Sequence, residues 1–177
     1  MEFPAREEYT DYYHNYVKLL KPDNPLRLLE ITHQYVLEIL ESLEDSFFDY
    51  RYQTEKWSVK QLLLHLLDCE QILSYRALRF ARNDFADALP FSENDYAQVA
   101  DLKKMDKRYL LKSLTLMRAN TQHIFQGFSE SESRLGGSPI FDNSVRAIAA
   151  IISGHELHHI RVLQTHYLKQ PLQTIQF

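Results

Sequence analysis

The chain has 177 residues, 45% of them hydrophobic and 25% charged, which suits one folded domain with a sizeable core and argues against a disordered or low-complexity chain. Lys and Arg number 20 against 24 Asp and Glu, a net charge of -4, so general electrostatic attraction to nucleic acid or an anionic membrane is not expected. Cys69 is the only cysteine, which excludes an intrachain disulfide; with neither a secretory-type start nor an apolar run of about 18 residues, we expect a cytoplasmic protein without a membrane span.

Along the chain, Tyr9, Tyr12, Tyr13, Tyr16 and Val17 recur at roughly helical spacing, so residues 1–20 are expected to add a helical or wrapping segment to the main fold. The first long helix opens with Asn24 as cap and Pro25 at the first helical position. Its stripe of Leu26, Leu29, His33, Val36, Leu40 and Leu43 runs to about residue 44. The second opens on Ser58-Val-Lys-Gln61, a capping box, and places Leu62, His65, Leu66, Cys69, Ile72, Leu73, Arg76 and Phe80 on one face. The third, roughly 104 to 128, aligns Leu110, Leu114, Met117, Thr121, Ile124 and Phe128. After a loop at Gly136-Gly-Ser-Pro139, the fourth starts near Asn143 and Ser144 and repeats Ile148, Ile151, Ile152, His155, His159, Val162 and His166 before Pro171.

The 83–103 linker is long, whereas those at 45–57 and 129–142 are shorter. A long crossover lets the second and third helices run parallel. The expected fold is therefore all-α: an up-down-down-up four-helix bundle with an additional N-terminal helical segment, a single domain over 1–177.

His155 and His159 lie four apart on one helical face and can meet one metal ion, and His65 on the inward stripe of another helix supplies a third imidazole. Three such ligands leave coordination positions open for water or substrate. His158, three residues from His155, lies on a more polar column than His159, which is preferred. His14, His33, His123 and His166 read as ordinary histidines, His33 as a core residue bonded to a backbone oxygen.

The run His155-Glu-Leu-His-His159 also matches the H-E-x-x-H pattern of zinc proteases. No Asp or Glu follows between Arg161 and Phe177 as a third ligand, and Val162 and Thr165 stand where the extended motif needs glycine and histidine. The protease reading is therefore the weaker one.

Trp57-Ser-Val-Lys-Gln-Leu-Leu-Leu-His65-Leu-Leu-Asp-Cys-Glu70, Tyr75-Arg-Ala-Leu-Arg-Phe-Ala-Arg82 and Gly154-His-Glu-Leu-His-His159 together resemble the DinB-like superfamily, over most of the chain. The resemblance implies an up-down-down-up bundle and one divalent ion, Zn, Ni or Fe, held by His65, His155 and His159. It implies no DNA binding, and it tips the oligomeric state towards a homodimer. Cys69, four residues after His65, is a departure: family members carry a small non-ligating residue there, and we read it as core packing.

The better understood branches of the superfamily imply a thiol S-transferase that uses a low-molecular-weight thiol on a small electrophilic substrate. A metal-dependent hydrolase and a non-catalytic metal-binding or stress-associated bundle are the alternatives. Asp68, Glu70 and Glu156 are candidates to orient the histidines from behind. Arg76, about three turns from His65 on the same stripe, needs Glu70, Glu156 or an anionic substrate as partner.

Overall fold

The structure, a computed structural model, describes residues 1–86, 89–137, 141–172 and 175. Its elements are α1 (Asp11–Val17), α2 (Pro25–Glu41), α3 (Val59–Ala81), α4 (Glu93–Val99), α5 (Lys107–Gln126), the single turn α6 (Glu130–Ser133) and α7 (Val145–Val162), which continues as a π-helix over Leu163–Leu168. Among the described residues there is no strand, only an isolated bridge between Gly136 and Ser144. No helix among them is long and apolar enough to cross a membrane.

Local chemistry sets the helix starts. Asn24 accepts from the backbone N–H of Leu26 at 3.0 Å, just before Pro25 opens α2. The Ser58 N–H donates to Gln61 Oε1 at 3.0 Å and the Gln61 N–H to Ser58 Oγ at 3.3 Å, closing the capping box of α3. Asp106 caps α5 through the Tyr109 N–H, and Ser144 caps α7 through the Ala147 N–H. The third long helix is therefore shorter than 104–128, because the Asp106 cap sets its start.

Shared cores fix the direction of each helix. One apolar cluster joins Leu28 and Leu29 at the start of α2 with Ala77 and Phe80 at the end of α3, Phe125 at the end of α5 and Ile148 at the start of α7. The other joins Val36 and Leu40 at the end of α2 with Val59 and Leu63 at the start of α3, Leu110 and Leu114 at the start of α5 and Ile160 at the end of α7. Helices α2 and α7 thus run one way and α3 and α5 the other, giving an up-down-down-up bundle in which α7 and α5 each pack on both α2 and α3.

Two connections hold more structure than a bare loop. The crossover carries α4, pinned over α3 where Gln61 Nε2 donates to the Ala97 carbonyl at 2.7 Å. The shorter connection before α7 carries α6 with its own Ser129/Glu132 capping box. Ser138 and Pro139, half of the expected Gly136–Pro139 loop, lie outside the described residues.

The N-terminal segment is fastened to α7 at two places. Ser144 Oγ and Arg146 Nε each donate to Glu8 Oε2 at 2.7 Å. Further on, α1 crosses α7 at Gly154, where a Cβ would lie 2.4 Å from the Tyr16 carbonyl oxygen. Only glycine allows that approach, and it brings the Tyr16 ring onto α7.

Candidate metal centre

Between the two apolar clusters lies a layer of buried polar side chains: Thr32, His33, His65, Glu70, Arg118, His155 and Glu156. Helix α3 contributes His65, and α7 contributes His155 and His159 from successive turns. Their Nε2 atoms form a triangle with every side 3.1 Å. A neutral ring nitrogen is a donor or an acceptor, not both, so three of them cannot make every edge of the triangle a hydrogen bond.

Burial, reinforced by His158, lowers the pKa of His65 to about 4. Burial, then His65 and His158, lowers His159 to about 3. His155 is held well below its ordinary value by burial and then by its histidine neighbours. Three neutral rings therefore turn their Nε2 atoms to one spot. Metal bonds of about 2.0–2.1 Å, at angles from octahedral to tetrahedral, separate ligand nitrogens by roughly 2.9–3.4 Å, and the triangle falls within that range. The donor set fits a divalent ion such as Zn, Ni or Fe.

Aromatic rings close in on the triangle: Trp57 lies 4.9 Å from the His65 ring and Tyr16 lies 5.2 Å from the His155 ring, centroid to centroid. His158 sits outside the triangle, half-buried, with its ring 5.3 Å from Tyr16. Cys69 Sγ lies 3.6 Å from His65 Nδ1, and one ligand atom from each of His65, Cys69 and His155 falls within 4.8 Å of the others, so the thiol borders the same spot. Burial, then Glu93 and Asp68, pushes that thiol up to about 12, which leaves it protonated.

The acidic residues expected behind the histidines are otherwise engaged. Glu70 receives Arg118 Nε and Nη2 at 2.9 and 3.0 Å, and Glu156 Oε2 lies 3.0 Å from Arg118 Nη2. Arg118, fully buried on α5, also donates to the Leu29 carbonyl. His33 faces the Glu156 carboxylate, 3.5 Å from Nδ1, rather than a backbone oxygen. Asp68 is half-buried with its pKa raised by burial, and no hydrogen bond joins it to the triangle. The cause for Glu70 and Glu156 is simple: Arg118 is a full buried charge and takes both carboxylates.

The sequence stripe shares Leu110, Leu114 and Thr121 with the buried face of α5 but takes Met117 and Ile124 where the structure buries Arg118 and Phe125, and so passes over Arg118. Leu110, Leu114, Arg118, Thr121 and Phe125 are the buried column, whereas Met117, Ile124 and Phe128 are only half-buried. The spacing of that column was the available signal.

With its carboxylates taken, Arg76 has no acidic partner within 4 Å among the described residues. Its Nη2 donates to the Leu89 carbonyl at 3.2 Å and its guanidinium lies 4.5 Å from the Phe141 ring centroid.

Two pockets open along the α3–α7 seam. One, on the side of Leu73 and Ile151, is lined by Tyr13, Tyr16, Cys69, Arg76, Phe91 and His155. The other, towards the start of α3, is lined by Trp57, Tyr52, Lys56, Asn94, His159 and Tyr167. Residues at the start of α4 line both, Glu93 the first and Asn94 the second.

An all-helical bundle with three converging imidazoles defines a class of metal-site four-helix bundles. Within it, the DinB superfamily model matches residues 28–163, and the chain belongs to that superfamily. Comparison with curated proteins gave no match. Among solved structures the chain is similar to YfiT from Bacillus subtilis, at 17% identity and a TM-score of 0.71, covering 95% of this chain and 93% of that one. YfiT is described as "a probable metal-dependent hydrolase with an unusual four-helix bundle topology".

Proposed function

We propose that the chain is a metal-dependent enzyme in which His65, His155 and His159 hold one divalent ion, and that it transfers a low-molecular-weight thiol onto a small electrophile. The observation that carries this reading is the 3.1 Å triangle of neutral imidazole nitrogens, with His155 lining one pocket and His159 another. A divalent ion there would act as a Lewis acid, lowering the pKa of a thiol or water that reaches it.

The chain's own residues do the rest. Neutral imidazoles add no negative charge of their own, so His65, His155 and His159 would leave a bound ion its full positive charge for a thiolate. Trp57 and Tyr16 pack their rings beside His65 and His155 and give the triangle apolar flanks. Glu156, the base in a zinc-protease reading of this motif, is held by Arg118 and faces His33, so it is not free to take a proton from water. Two pockets ending on different histidines of one triangle suit a reaction of two organic substrates. A thiol also needs less help than water to ionise near neutral pH.

Hydrolysis is the second reading, favoured by the fold shared with YfiT. The discriminating experiment offers metal-loaded protein a panel of low-molecular-weight thiols with electrophilic acceptors, beside esters and amides in the absence of thiol. Metal-dependent S-conjugate formation is the expected result. Thiol-independent hydrolysis would support the second reading instead, and thermal stabilisation by metal with no turnover in either assay would leave a metal-binding bundle without catalysis.

A further inference from the structure

Arg76 is 7% exposed, yet none of the described carboxylates lies within salt-bridge distance of its guanidinium, and its Nε has no hydrogen-bond partner. A buried, unpaired cation is costly. The contacts it does make, a donor to Leu89 O and a cation–π approach to Phe141, supply no counter-ion. Among the described residues nothing neutralises that charge, which suits a partner that arrives from outside. Arg76 lines the pocket that ends on His155, among Tyr12, Tyr13, Tyr16, Leu73, Phe91 and Ile151.

We propose that Arg76 anchors the carboxylate of a largely apolar organic substrate whose other end lies towards His155. Three features set that chemistry. The planar guanidinium fork matches a carboxylate. One cation, with Glu93 lining the same pocket, favours a single negative charge over a dianionic phosphate. Finally, Tyr12, Tyr13, Tyr16, Leu73, Phe91 and Ile151 line the same pocket, and their rings and aliphatic chains suit an apolar organic body rather than a bare ion.

This deepens the proposed function by naming a substrate class, and it is tested without turnover so that the two can fail separately. The probes are 4-phenylbutyrate, its neutral amide and inorganic phosphate, titrated calorimetrically into the metal-free full chain. The wild type is expected to bind the carboxylate about tenfold or more tighter than the amide, the scale of a charge-assisted hydrogen bond, and tighter than phosphate. Arg76→Gln is expected to bring the carboxylate down to the amide's affinity while leaving the amide's own affinity unchanged.

The Arg76 Nε–H resonance of the wild type gives a readout that needs no variant: it should shift with phenylbutyrate and stay in place with the amide. Equal affinity for acid and amide, tighter binding of phosphate, no binding of the acid, or an unmoved Nε–H resonance would each overturn the proposal.

Discussion

At the scale of single residues, the polar layer is held by one arginine between two carboxylates. Removing the charge in Arg118→Met leaves Glu70 and Glu156 buried without a counter-ion, and a loss of about 3–5 kcal/mol in urea-unfolding free energy is expected. A loss under about 1 kcal/mol would mean that water already screens the pair. Cys69 offers a different test because it borders the triangle as a protonated thiol. Cys69→Ala should leave metal stoichiometry unchanged by elemental analysis; loss of the ion would place sulfur among its ligands.

The residues that converge were legible in the sequence because i, i+4 spacing and an inward stripe are one-dimensional patterns. Their partners were not. Glu70 and Glu156 answer to Arg118 from a different helix, and an apolar stripe that takes Met117 at that turn of α5 passes over the buried charge beside it.

At the scale of elements, α1 owes its place to Gly154. A methyl group there meets the Tyr16 backbone, so Gly154→Ala should cost about 1–3 kcal/mol, as overpacking does, and should separate the Tyr16 and His155 rings. Unfolding curves give the first and ring-to-ring NOEs the second; an unchanged NOE would show that α1 does not rest on this crossing.

The other fastening of the N-terminal segment is pH-dependent. Burial works to raise the pKa of Glu8, but hydrogen bonds from Arg146, the Ala5 N–H and Ser144 outweigh it and lower the pKa from 4.5 to about 2. A carboxyl depressed in the folded state stabilises fully above its unfolded pKa and loses that contribution as pH falls from about 4.5 towards 2. Glu8→Gln should flatten the acid limb of a stability-against-pH profile in that window; an unaltered limb would contradict the assignment.

Helices α2, α3, α5 and α7 were readable from caps and periodicity, whereas α4 was not. It has seven residues, mostly exposed, inside a segment whose length alone marked it as a crossover, and it is fixed by the Gln61–Ala97 contact rather than by an apolar stripe.

For the whole molecule, the up-down-down-up order follows from one long connection, and it places α3 and α7 side by side with their histidines at the same level. Two apolar clusters brace that level from either end. The buried layer between them combines neutral imidazoles on one side with the Arg118 network on the other, and metal binding should add stability to the whole bundle in proportion to the logarithm of free ion.

The most direct measurement is the metal content of untagged protein, for the wild type and for His65→Ala, His155→Ala and His159→Ala. The account predicts about one divalent ion per chain in the wild type and its loss in each variant. Full occupancy in any of the three, or a wild type that takes up no ion when offered zinc, nickel or iron, would contradict it.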